Sequence, residues 1–299
     1  MKRFVSSWNR FFFAPASGHR VALFRILFAL YLLGYFAALL PHVTLLFSNQ
    51  GVYVPYLVAD YAPAPWLAWL LFVSMPALAL LLLVGYRTEL AARALLVLFL
   101  YHYFLQLAVK QSSFERLIAI DLVVLGFADS GRVWGLDARR SGATPNVWAE
   151  RVLAIQCVFL YSGSGLWKLL NPAWHTGALL HSNFQSMWAT PLAFALVRAG
   201  FPAQTWTAIS WAIIGFELAL GPLLIIRATR PLALVLGTAF HLANCVLLVI
   251  PEFLVSLTPY PVFIRERTIE RWGRRLGEVG ARVLSRAREL VTAAASRSP

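Results

Sequence analysis

The chain has 299 residues, 60% of them hydrophobic and only 13% charged, with a mean hydropathy of +0.68. Soluble globular chains carry roughly 25% charged residues, so this one has too few charges to cover a wet surface, and its repeated apolar runs predict a polytopic membrane protein. The 26 Lys+Arg against 13 Asp+Glu give a net charge of +13, which in a membrane chain fits basic loops and tails facing an anionic leaflet and no nucleic-acid partner.

In chain order, the basic and aromatic start MKRFVSSWNRFFFAPASGHR reads as an interfacial lead-in. Spans of about 20 residues are expected at Val21–Val43, Trp66–Gly85, Glu89–Val109, Phe114–Ala128, Trp148–Leu170, Trp206–Ile226 and Pro231–Ile250. Pro76 can kink the second, and the fourth is short, with Asp121 at its middle. The stretch Gly177–Phe201 is too interrupted for a span and reads as two short helices, interfacial or re-entrant. No cleavable leader is expected, because the first apolar run is too long for a signal-peptide core. Cys157 and Cys245 both fall inside predicted helices, fit no metal spacing and are expected to form no disulfide.

The distribution of Lys and Arg sets orientation. Lys2, Arg3, Arg10 and Arg20 place the N-terminus in the cytoplasm, while the loop Thr44–Pro65 has neither residue and should face outward. Arg87, Arg93, Arg132, Arg139, Arg140, Arg227 and Arg230 fall in alternate connections that parity places inside. Seven spans would leave the arginine-rich tail outside; an eighth crossing, from Gly177–Phe201 or from Phe253–Ile264, returns it to the cytoplasm. In that tail Trp272, Leu276, Val279, Val283 and Leu290 recur at helical spacing between arginines. The pattern suits a helix on anionic lipid; a helix packed on a partner chain is the alternative. The expected fold class is therefore all-α: a transmembrane bundle of seven to eight spans with short interfacial helices over residues 1–263, then a basic amphipathic tail over 264–299. The expected location is a bacterial-type inner membrane.

An ionisable group inside a span costs roughly 2.5–3.5 kcal/mol on insertion scales, so each needs a reason. The set is Arg25, His102, Glu115, Arg116, Asp121, Lys168, Glu217 and His241. Arg25 lies one turn into the first span and can snorkel; Glu115 and Arg116 stand at the interfacial start of the fourth. Asp121 and Glu217 lie mid-span and should face the interior, paired or protonated, in a structural or a functional role. His241 is also central, and Asn244 three residues on can join it in one polar patch. Lys168, in YSGSGLWKLLNPAWHTG, is two residues from the end of its span and can snorkel outward. Against that, Gly163 and Gly165 allow close approach of a backbone or flat ligand, and Trp167 and Trp174 supply aromatic surface. A lysine desolvated in such a place can act as a base. No two of His102, His175, His181 and His241 share an i, i+3 or i, i+4 spacing, so no metal site is expected.

The stretch from Gln156 to Lys168, with Trp174 and Gly177, resembles the lysine-bearing helix of the vitamin K-dependent γ-carboxylase and of its bacterial relatives, the horizontally transferred transmembrane (HTTM) domain proteins. Phe240-His241 with Pro251-Glu252-Phe253 resembles that family's histidine-bearing helix and following aromatic segment. Leu23-Phe24-Arg25-Ile26 and Gly85-Tyr86-Arg87-Thr88 fit the family's first span and second connection. The likeness runs over roughly residues 15 to 265. It implies Lys168 as the base that deprotonates a vitamin K hydroquinone-like cofactor, with His241 as polar partner and Trp174, Glu217, Asn244, Gly163 and Gly165 around the pocket. Two differences separate this chain from a full carboxylase. Glu115-Arg116 stands where the carboxylase has an Asn-His pair, and a short basic tail follows the membrane region where the carboxylase has a large lumenal, propeptide-binding part. Two functions follow from the resemblance: a quinone-dependent membrane enzyme with a substrate of its own, or a non-catalytic membrane partner in the maturation or export of a secreted peptide or toxin. A transporter is disfavoured, because no inverted repeat or pair of broken helices stands out.

Overall fold

The computed structural model describes residues 2–52, 61–106, 113–139 and 145–278. Cα packing divides the chain into Met1–Phe263 and Ile264–Pro299. In the second unit residues 266–278 are helical; Val279, Val283 and Leu290 lie outside the described residues.

The first unit is built from helices α1 Lys2–Phe13, α2 His19–Leu39, α3 Val43–Phe47, α4 Pro65–Val84, α5 Thr88–Gln106, α6 Ser113–Phe127, α7 Trp148–Leu170, α8 Pro172–His175, α9 Ala178–Asn183, α10 Pro191–Arg198, α11 Ala203–Ile225 and α12 Arg230–Leu247, closed by two 3-10 segments, Pro251–Leu257 and Tyr260–Phe263. In hydrocarbon every backbone N–H and C=O must be satisfied within the segment, which is why the apolar runs are helices. Their boundaries follow local chemistry. Pro65 occupies the first turn of α4, where its missing N–H is harmless. The helix then runs unbroken through Pro76 and stops at Gly85, whose φ of 69° is left-handed. There the Tyr86 N–H donates to the Leu81 carbonyl at 3.0 Å, closing the last turn. The Asp137 carboxylate accepts the N–H groups of Arg87 and Thr88, each at 2.9 Å, and so caps the start of α5.

Among the described residues, six helical stretches are long and apolar enough to cross a membrane: His19–Phe47, Pro65–Val84, Thr88–Gln106, Trp148–Leu170, Ala203–Ile225 and Arg230–Leu247. The span expected at Phe114–Ala128 forms α6, whose 15 residues rise about 22 Å, short of the roughly 30 Å hydrocarbon core. No eighth spanning helix forms in either place the sequence offered. Gly177–Phe201 makes the two short helices α9 and α10, and Phe253–Ile264 lies in 3-10 turns because Pro259 and Pro261 interrupt it.

The core lies among α2, α4, α5, α6 and α7. Phe24, Phe28, Phe36, Phe72, Leu95, Leu122 and Leu153 are fully or almost fully buried, while Leu70, Val97, Phe159 and Val235 on the same helices or on α12 are exposed. Helices apolar on both faces suit a lipid surround, where burial is decided by packing alone. Arg25 does not snorkel. It is completely buried, and its Nη2 donates to the Trp134 carbonyl at 2.8 Å. The connection after α6 folds back over the end of α2 and encloses the guanidinium, which lies against Gly85 and Gly135. Glu115, in the first turn of α6, is likewise buried, while its neighbour Arg116 is exposed.

Candidate functional site

α7 and α11 cross antiparallel at close range, and small residues make this possible. A Cβ on Gly165 would lie 2.8 Å from the Leu218 backbone nitrogen, and one on Gly221 would lie 2.5 Å from Ser162 Oγ. The backbones therefore touch as they do in small-residue crossings of membrane helices. Gly163, by contrast, is exposed and faces open space, so the close approach expected there is carried by Gly165 alone. Gly165→Ala is expected to destabilise the protein by about 1–3 kcal/mol through overpacking, and Gly163→Ala to leave the unfolding temperature in detergent unchanged or slightly raised.

This crossing brings Lys168 to Glu217. Lys168 Nζ stands 2.6 Å from Glu217 Oε2, with side-chain exposures of 12% and 6%, and 2.7 Å from Ser164 Oγ one turn back on its own helix. Trp174 presents its ring face, with Nζ 5.0 Å from the ring centroid, a cation–π contact. The ammonium thus has a carboxylate, a hydroxyl and an aromatic face around it, and it does not reach out to solvent. Trp174 is held in turn by α8: Asn171 accepts the Ala173 N–H at 3.1 Å as cap, and Ser210 of α11 donates to the Trp174 carbonyl at 2.5 Å. The Trp174 indole Nε1 is buried without a hydrogen-bond partner. Trp167, expected to flank the site, is 59% exposed and faces away.

A second polar cluster lies two turns back along α7, about 10 Å by helical rise. Tyr161 Oη is 2.7 Å from His241 Nε2 and 2.6 Å from Tyr260 Oη, all three residues being buried. Gly237 leaves the space that the Tyr260 hydroxyl fills. Phe253 closes the His241 ring from one side, with centroids 5.9 Å apart. The joint patch expected of His241 and Asn244 does not form, because the Asn244 amide donates to the Phe240 carbonyl of its own helix at 3.1 Å. Among the described residues no hydrogen bond joins Lys168 to His241; each has its own partners. Tyr161, Tyr260 and Ser164 were missed at the sequence level. Tyr161 and Ser164 stand seven and four residues before Lys168, on the same helical face, and that spacing was the available signal. Tyr260, from a turn, gave none.

Asp121 faces the interior as expected. It is fully buried, and Gln156 of α7 donates to its Oδ1 at 3.0 Å. His102 is buried on α5 with Nδ1 2.8 Å from the Leu98 carbonyl.

Proton transfer is what the Lys168 cluster can do chemically. The ion pair and the neutral amine–acid pair differ by one proton moved across 2.6 Å, and in a low-dielectric surround neither form has bulk water to favour it. The neutral form presents an amine lone pair, the requirement for a general base.

A family model described as the HTTM domain matches residues 13–267 of the chain. No curated protein and no solved structure matches it.

Proposed function

Because the chain belongs to the HTTM domain family, and that family is related to the vitamin K-dependent γ-carboxylase, we propose that this integral membrane protein is a quinone-dependent enzyme in which Lys168 is the base and Glu217 takes up its proton. The observation that carries the reading is the short, enclosed Lys168–Glu217 pair beside an unpartnered indole N–H. A quinone fits these residues. Trp174 offers a ring face for stacking and a free Nε1 donor for a quinone oxygen, and Lys168 stands over that same ring. When bound, such a cofactor supplies the redox chemistry that no side chain here can. Lys168 would receive a proton from the bound molecule's hydroxyl after giving its own to Glu217, and Ser164 would hold the amine in place. His241, Tyr161 and Tyr260 form a separate line of phenol and imidazole groups that can orient a substrate or carry a proton onward. Asn244, Gly163 and Trp167 have no part in it.

We place the N-terminus in the cytoplasm of a bacterial-type inner membrane, with α6 as a short seventh crossing; the arginines of the N-terminus and of the alternate connections support this, and seven crossings put the basic tail on the outer face, against anionic headgroups there. The Lys168 pair then opens toward the outer leaflet.

Extraction of the purified protein and mass spectrometry test the cofactor. The expected result is a lipid quinone in near-stoichiometric amount, reduced in Trp174→Phe, which keeps the ring and removes the N–H. Quinone no higher than in an unrelated membrane protein purified in parallel, together with full function of Lys168→Ala in the host, would remove the enzymatic reading. Recovery of one secreted or membrane protein by pull-down with that variant would then favour the non-catalytic partner.

A further inference from the structure

The α2–α6 half of the bundle holds a cavity of about 100 Å³ to which neither α7 nor α11 contributes a wall. Phe47, Phe72 and Phe99 line it, with His102, Glu115, Tyr35 and Tyr103 as its ionisable groups. His102 is only 4% exposed, and its ring meets Phe47 edge-to-face at 4.8 Å. Its Nδ1 lies 2.8 Å from the Leu98 carbonyl. A carbonyl only accepts, so Nδ1 carries the hydrogen and Nε2 presents a lone pair. That Nε2 is buried with no partner. Glu115 takes a hydrogen bond from the Tyr35 hydroxyl.

An unpaired acceptor on a residue that lines an aromatic cavity calls for a donor, and the volume decides what carries it. A single water occupies about 10–15 Å³ on such a measure, so one water would leave most of the aromatic wall bare. A lipid chain is too large. A carboxylic acid is disfavoured by the Glu115 carboxylate, which the Tyr35 hydroxyl already engages, and the phenylalanine walls favour a ring over a compact ion. A flat, one-ring molecule with a single hydroxyl meets all these conditions.

We propose that this cavity is a binding site for a small aromatic alcohol of the phenol class, its ring packed among Phe47, Phe72 and Phe99 and its hydroxyl donating to His102 Nε2. The site is separate from the Lys168 pair and stands whether or not that pair is catalytic.

The test uses the full-length protein in detergent micelles. The probe is para-fluorophenol, with para-fluorotoluene as the hydroxyl-free control, and both are followed by fluorine NMR line broadening and displacement with unlabelled phenol. Wild type is expected to bind para-fluorophenol displaceably. His102→Leu should weaken that binding about five- to tenfold, the ratio expected for one lost hydrogen bond, and should leave para-fluorotoluene unchanged. Met75→Trp, which fills the cavity and leaves His102 intact, should remove displaceable binding of both. No displaceable binding in wild type would mean that a water alone satisfies Nε2 and would overturn the proposal. Equal binding of the two probes, or no loss in a folded His102→Leu, would overturn it as well.

Discussion

Lys168→Met and Glu217→Gln are each expected to lower stability by about 3–5 kcal/mol, and the double variant to recover most of that loss. The two side chains are 12% and 6% exposed and 2.6 Å apart, so removing one leaves the other charge buried without its counter-ion. Replacing both removes that penalty, and a buried ion pair exchanged for neutral groups of similar size is often no less stable. A double-mutant cycle on chemical or thermal unfolding in detergent measures the coupling directly. Function separates structure from chemistry: the recovered double variant should remain inactive, because neither an amine nor its proton acceptor is left. Lys168→Arg should also be inactive while keeping most of the stability, since a guanidinium keeps the charge and does not give up its proton.

The second large effect is expected at Gly85. Gly85→Ala should cost about 2–4 kcal/mol, against about 1–2 kcal/mol for Gly200→Ala, the ordinary penalty for a left-handed non-glycine residue. The comparison is controlled, because the two glycines have nearly the same backbone, φ 69° and 70°. A Cβ at Gly200 meets nothing within 4 Å, whereas one at Gly85 would run into the Arg25 guanidinium and into the backbone Cα of Gly135. The excess at Gly85 therefore reports the close packing of Arg25 and of the Gly135 turn against it. In an Arg25→Met background Gly85→Ala should lose the Arg25 share of that excess and keep the share due to Gly135. Thermal unfolding of the four variants in one detergent checks it, and equal costs at the two glycines would contradict the seating.

Arg25 also shows where sequence reasoning stopped. One turn into a span, it had a ready excuse in snorkelling. The group that encloses it, the connection carrying Trp134, lies 109 residues away in the chain, and no local pattern announces that the connection folds back. The long spans were legible because twenty apolar residues in a row have few other uses. The shortness of α6 was legible for the same reason. Lys168 and Glu217 each stood out as charges without a wet excuse, yet their pairing depends on an α7–α11 register fixed by Gly165 and Gly221, which a single chain read in order does not display. Asn244 failed because helical proximity to His241 was taken for shared contact, while a side chain that can reach its own backbone carbonyl often does so. His102 was noticed as a charge and given no role, since the cavity beside it is built from five helices.

Enclosure of the Lys168 amine is the condition for everything proposed about chemistry here, and amine labelling measures it. The chain has three lysines, Lys2, Lys110 and Lys168, so peptide mass spectrometry after treatment with a water-soluble amine-reactive ester resolves each one. Lys168 is expected to stay unlabelled in the native protein, to become labelled in Glu217→Gln, and to label fully on unfolding. Labelling of Lys168 in native wild type as fast as in the unfolded chain would contradict the account.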